Sequence, residues 1–155
     1  LAHASATFAY QDAHHIHFGT SNVSEDENDT RYIKMNGRKI YEFALTEVPK
    51  AMKECLVNSG KSILDIKKIF IHQANEKMDE AIIKKFYKLY NLPVPEYIMP
   101  MSIHFLGNSS VATVPTLLDL IKKDKVENQE INEGDVVILA SVGAGMNVNA
   151  IVYRF

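Results

Sequence analysis

The stretch that decides the fold is Ile69-Phe70-Ile71-His72-Gln73-Ala74-Asn75-Glu76. Three large apolar residues in a row, without polar alternation, read as a strand buried on both faces. Asn75 reads as a helix N-cap, and the acids Glu76, Asp79 and Glu80 suit the positive end of the helix dipole. The spacing predicts a strand over 68–72 and a helix over 75–90, with Met78, Ile82, Phe86 and Leu89 along one face and Pro93 and Pro95 closing it. A histidine thus stands where a buried strand turns into a helix.

Working outward, Ser62 caps a short turn before the strand, and Gly60 stops a preceding amphipathic helix over 36–58. Ile40, Phe43, Ala44, Val48, Ala51, Met52, Cys55 and Leu56 recur there at helical spacing. Pro49 lacks the amide that would bond Leu45, which predicts a kink or a break into two helices. Strands are expected around 4–10 and 14–18, and residues 21–30 lack periodicity and read as a surface loop. Beyond the prolines, 97–104 is expected as a strand. A third helix is expected over 110–125 with Val111, Val114, Leu118 and Ile121 inward. Residues 135–141 and 147–154 read as two strands joined by Gly143-Ala144-Gly145, a hairpin by its loop length. Helices alternating with buried strands predict one layered α/β domain over 1–155, with a mixed sheet closed by an antiparallel hairpin.

Composition narrows the function classes. The 155 residues are 46% hydrophobic and 23% charged, with a formal net charge of −2. Such a balance lacks the basic excess of a nucleic-acid binder. A single cysteine allows no internal disulfide, which fits a reducing, cytoplasmic compartment. No apolar run is long enough to span a bilayer. The chain opens at Leu1 inside an apolar stretch, so residues upstream are expected.

Two further segments complete the pattern: Gly107-Asn108-Ser109-Ser110, and the glycine-rich turn that follows Val142. With His72-Gln73-Ala74-Asn75, and with Met35-Asn36-Gly37 leading into the first helix, they resemble the second half of type III ketoacyl-(acyl-carrier-protein) synthases in order and approximate spacing. Within the thiolase-like superfamily, chalcone-synthase-like enzymes usually continue from the histidine with Pro-Gly-Gly. Elongating ketoacyl synthases carry a second His where Asn108 stands. The resemblance implies a thiolase-like half: a mixed, mostly parallel five-stranded sheet flanked by helices, with the nucleophilic Cys in an N-terminal half.

It also implies a decarboxylative Claisen condensation in fatty acid biosynthesis, joining an acyl group from acyl-CoA to malonyl-acyl-carrier protein without cofactor or metal. His72 and Asn108 would donate hydrogen bonds to the enolate oxygen, and His72 would favour the thiolate of the Cys. An imidazole and a carboxamide supply donors without adding negative charge. The backbone at Gly143, Ala144 and Gly145 would form a second oxyanion hole, where glycine permits close approach. Asn75 and Lys77 would meet the phosphopantetheine arm or the acyl carrier protein. A homodimer is implied likewise. Alone, the chain is expected to be inactive, having no plausible nucleophile. Two departures stand out: Val142 replaces a common aromatic residue, and Glu76 stands where apolar residues are frequent. A different acyltransferase of secondary metabolism, or a non-catalytic module for carrier binding or dimerisation, shares the same motifs.

Plainer readings cover the remaining candidates. Cys55 lies on the apolar stripe of the first helix and reads as core. Of His14, His15 and His17, only His15 and His17 would share a strand face, without accompanying Cys or carboxylate, which argues against a metal site. His104 reads as a loop or pocket-wall residue. The pairs Lys84-Lys85 and Lys122-Lys123 read as solvated helix faces.

Overall fold

A computed structural model describes residues 1–23 and 30–155. The deciding run forms β4 (Ile66–Ile71), and Asn75 caps the helix after it by accepting the Met78 amide at 3.2 Å. In chain order the strands are β1 (Ala2–Thr7), β2 (Ile16–Gly19), β3 (Tyr32–Met35), β4, β5 (Val136–Gly143) and β6 (Asn147–Arg154). The helices are α1 (Ala9–Asp12), α2 (Gly37–Asn58), α3 (Glu76–Lys88), α4 (Ile103–Leu106) and α5 (Thr113–Lys122).

Four strands form one sheet in the order β1-β6-β5-β4, and β2 and β3 pair separately. β4 runs parallel to β5, whereas β6 is antiparallel to both β5 and β1. The sheet is therefore mixed, but it has four strands rather than five and a single parallel pairing rather than mostly parallel ones. The expected strand over 97–104 does not form. Pro100 brings no amide to the β4 edge; instead the Ile69 amide donates to the Ile98 carbonyl at 2.8 Å and Lys68 Nζ to the Tyr97 carbonyl at 2.8 Å. The chain then coils into α4.

Alternation of side chains sorts the core onto two faces. Ile69, Ile71, Ile138, Ala140, Val148, Ala150 and Val152 pack under α2 and α3, against Val48, Met52, Ile82 and Phe86. Phe70 and Val137 point the other way, against Leu117 and Ile121 of α5. Both faces of β4 are buried, as its unbroken apolar run predicts.

Other expectations shift. α2 continues unbroken through Pro49, which is buried, so the lost amide does not split the helix. The first strand begins and ends earlier than expected, and Phe8 leaves it to donate its amide to the Met146 carbonyl at 3.1 Å. Ala13–His15 is a 3₁₀ turn, so β2 starts only at Ile16 and His15 and His17 share no strand face. β3 was not foreseen. The expected loop over 21–30 falls largely on residues 24–29, outside the described residues. A 3₁₀ turn, Ser110–Ala112, delays α5 to Thr113, and Val111 is 91% exposed rather than inward. Leu117 takes the inward position, fully buried.

Candidate active site

The junction after β4 sets His72. Its amide donates to the Ala140 carbonyl at 2.9 Å, extending the β4–β5 ladder one residue, so the imidazole leaves the sheet from a fixed backbone. Burial pushes the imidazole pKa down, and a hydrogen bond with the Ser110 backbone partly offsets it. The lowered pKa favours the neutral ring, which carries a single N–H.

Asn108 arrives from the other side. Gly107, at φ +66°, turns the chain out of α4, and the Ser110 amide donates to Asn108 Oδ1 at 2.9 Å. With Oδ1 engaged, the Nδ2 donors are the end left for a ligand. Ser110 itself sits at φ +53°, and its carbonyl also accepts from Thr113 Oγ1 at 2.9 Å. One residue's backbone therefore touches both candidate donors, the carboxamide through its N–H and the imidazole.

His72, Asn75, Asn108, Gly143 and Ala144 all line one cavity of about 780 Å³. Its remaining wall is largely apolar, with Met35, Ile40 and Ile151 among the lining residues. Gly145 is not on that wall; its φ of +74° bends the turn that presents its neighbours. Lys77 is exposed on the first turn of α3 and lies off the wall. His104 does not line the cavity either; its ring packs edge-on to Phe105 at 4.9 Å. A neutral imidazole, a carboxamide and a glycine turn around one apolar space can stabilise negative charge on a bound carbonyl oxygen.

Two buried polar residues escaped the sequence reading. Gln73 is fully buried: Nε2 donates to the Pro100 carbonyl at 2.9 Å, while Oε1 accepts from the Ser102 amide at 2.8 Å and hydroxyl at 3.2 Å. Its place beside His72 is the signal that could have found it. Asp79, expected as a dipole-facing acid, is fully buried, and burial raises its pKa to about 8 against the lowering pull of the Asn75 backbone. It is neutral at pH 7 and adds no charge to the helix end.

Cys55 is fully buried, with Sγ 3.3 Å from the Ala2 carbonyl, and burial pushes its thiol pKa up; it is core. His15 does have a carboxylate neighbour, Asp12 at 3.2 Å, contrary to the sequence reading. Among the described residues no three His, Cys, Asp or Glu side chains group as metal ligands. No helix among them is long and apolar enough to cross a membrane.

A mixed sheet between helices, with His, Asn and a glycine turn converging at its edge, defines a thiolase-like domain. The chain belongs to the family described as 3-Oxoacyl-[acyl-carrier-protein (ACP)] synthase III C terminal, whose model matches residues 56–155. It is 34% identical over 138 residues to a beta-ketoacyl-(acyl-carrier-protein) synthase III of Porphyra umbilicalis, covering 89% of this chain and 39% of that protein. The corresponding protein of Latilactobacillus sakei is 29% identical over 133 residues, covering 86% of this chain and 38% of that protein. Among solved structures, 3-oxoacyl-(acyl carrier protein) synthase III from Pseudomonas aeruginosa superposes with a TM-score of 0.79 at 20% identity. The match covers all of this chain and 44% of that one, and shows a shared fold. The chain therefore spans about two fifths of the length of the curated relatives it matches.

Proposed function

We propose that this chain is the C-terminal part of a 3-oxoacyl-acyl-carrier-protein synthase III, an acyltransferase of fatty acid biosynthesis. The observation that carries the reading is the single cavity lined by His72, Asn108, Gly143 and Ala144. In the reaction so read, a cysteine thiolate from a preceding segment adds to acyl-CoA, and coenzyme A leaves as the thiol. Malonyl-acyl-carrier protein then loses CO2, leaving an enolate whose oxygen takes hydrogen bonds from His72 and Asn108. The enolate carbon attacks the acyl-cysteine carbonyl, the cysteine thiolate leaves, and the product is a 3-oxoacyl thioester on the carrier. The backbone at Gly143–Gly145 binds the oxyanion on the acyl group. No cofactor or metal enters.

Asn75, at the cavity mouth, and Lys77, a point charge beside it, would face the pantetheine arm and the carrier protein. Water-soluble thioesters as donors favour the cytoplasm, and a homodimer belongs to the same reading. The experiment is intact mass of the full-length protein after incubation with acetyl-CoA and longer acyl-CoAs, with this chain alone as control. Acyl uptake by the full-length protein only, with condensation lost in His72→Ala and Asn108→Ala, is expected. No uptake from any thioester would leave a non-catalytic carrier-binding module as the better reading.

A further inference from the structure

Asn147 opens β6 directly across the hairpin from Gly143. Its side chain does not simply project from the strand: Nδ2 reaches back over the turn and donates to the Ala144 carbonyl at 2.9 Å. The turn leaves little room for anything else. A Cβ on Gly145 would lie 2.9 Å from that same Nδ2, at a φ of +74°. Met146 follows at φ +51° with its side chain fully buried, and its carbonyl is taken by the Phe8 amide at 3.1 Å. The far end of the turn is thus pinned to β1's exit, and the near end is pinned by one exposed carboxamide on the cavity wall. Strand pairing alone asks for no amide at that position.

A trans peptide points its C=O and N–H to opposite sides, and the peptides here are trans. Tying the Ala144 carbonyl to Asn147 therefore also fixes the direction of the Gly145 N–H and the conformation of Ala144. If that peptide flipped, a carbonyl oxygen would stand where an N–H stood, with its negative end toward any developing oxyanion. Donors stabilise a transition state only when they are aimed beforehand.

We infer that Asn147 is a positioning residue for the acyl-transfer half of the reaction: its amide holds the Ala144 carbonyl aside and so fixes the Ala144–Gly145 peptide at the cavity wall, with the N–H end rather than the carbonyl turned toward the thioester oxygen. The inference rests on the condensing-enzyme reading above. In that half-reaction the cysteine thiolate adds to the thioester carbonyl, the oxyanion forms against the turn, and its collapse expels the coenzyme A thiolate, which takes a proton from water.

The test uses the full-length protein with Asn147→Asp, which keeps the shape and loses the donor, alongside Asn147→Ala and Asn147→Ser. Acyl-enzyme formation at saturating acetyl-CoA, followed by intact mass, is expected to fall about 10- to 100-fold in the Asp and Ala variants with KM little changed. Asn147→Ser, whose hydroxyl can still donate, is expected to retain more than Ala. CO2 release from a malonyl thioester, which leans on His72 and Asn108, is expected to keep its rate and reports that the fold is intact. Should the Asp variant not fold, Ser against Ala decides. Equal losses in both half-reactions, or wild-type acylation in Asn147→Ala, would overturn the assignment alone. An unmodified protein that takes up no acyl group would overturn the condensing-enzyme reading, and this inference with it.

Discussion

Gln73 and Ser102 are joined twice, the backbone amide and the hydroxyl of Ser102 both donating to one Oε1 at 2.8 and 3.2 Å. The pair ties the residue beside His72 to the residue that precedes α4, whose exit carries Asn108. The distance between the two candidate donors thus depends on a buried amide that touches neither.

Replacing Gln73 with Leu leaves the Ser102 amide and the Pro100 carbonyl without partners in the core. The expected loss is about 1–3 kcal/mol for each group left unsatisfied, read as a lower urea midpoint with unchanged m-value. Gln73→Glu is expected to fail as well, because an ionised carboxylate cannot donate to the Pro100 carbonyl.

Asp79 predicts a pH dependence with a definite sign. In the unfolded chain its carboxyl ionises near 3.8, but in the folded chain only near about 8. Between those values the folded state binds the extra proton, so its contribution is present below pH 3.8 and is lost as pH rises toward 8. The slope contributed by this one group approaches about 1.4 kcal/mol per pH unit. Asp79→Asn is expected to flatten stability over that window, measured by chemical denaturation at several pH values. An unchanged slope would mean that the carboxyl is not buried alone.

His72 titrates in the opposite sense. Its folded pKa lies below the ordinary 6.5, first because of burial. The unfolded chain therefore binds more protons as pH falls through 6.5, and the stability this group supports is lost on the acid side. In the full-length protein, the limb of the rate profile that reports His72 is expected below pH 6.5, with no loss from this group between 6.5 and 8. An acid limb above 6.5 would contradict a neutral, donating imidazole.

Val111 and Leu117 separate site wall from core. Leu117 is fully buried against Phe70, and Leu117→Ala is expected to cost about 2–5 kcal/mol. Val111 is 91% exposed, and Val111→Ala in this chain is expected to stay within about 0.5 kcal/mol of the unmodified chain. Thermal denaturation of the two variants side by side checks the contrast.

Local chemistry made much of this legible. The unbroken apolar run of β4, the Asn75 cap and the glycine turn each carry their signal in neighbouring residues, and the elements formed where those signals lie. What stayed illegible depended on distant partners. Nothing near Asp79 announces that its face of α3 is covered, and its acid-rich surroundings argued for solvent. The 97–104 stretch has strand composition, yet Pro100 and the Gln73 amide give it another way to satisfy its backbone. Pro49 keeps its helix because packing on the sheet holds the turn that local rules would open. His72 and Asn108 could be singled out by motif, but their link through Ser110 could not, since it requires a left-handed φ at a serine.

β6 lies between β1 and β5, and it is the last strand of the sequence. β1 must therefore wait for β6 before it has its partner in this sheet. Such widely separated pairing raises contact order and slows folding. Until β6 emerges from the ribosome, β5 keeps an open hydrogen-bonding edge that other nascent chains can meet. The late arrival of one strand places Asn147 and the turn it braces among the final parts of this sheet to become ordered.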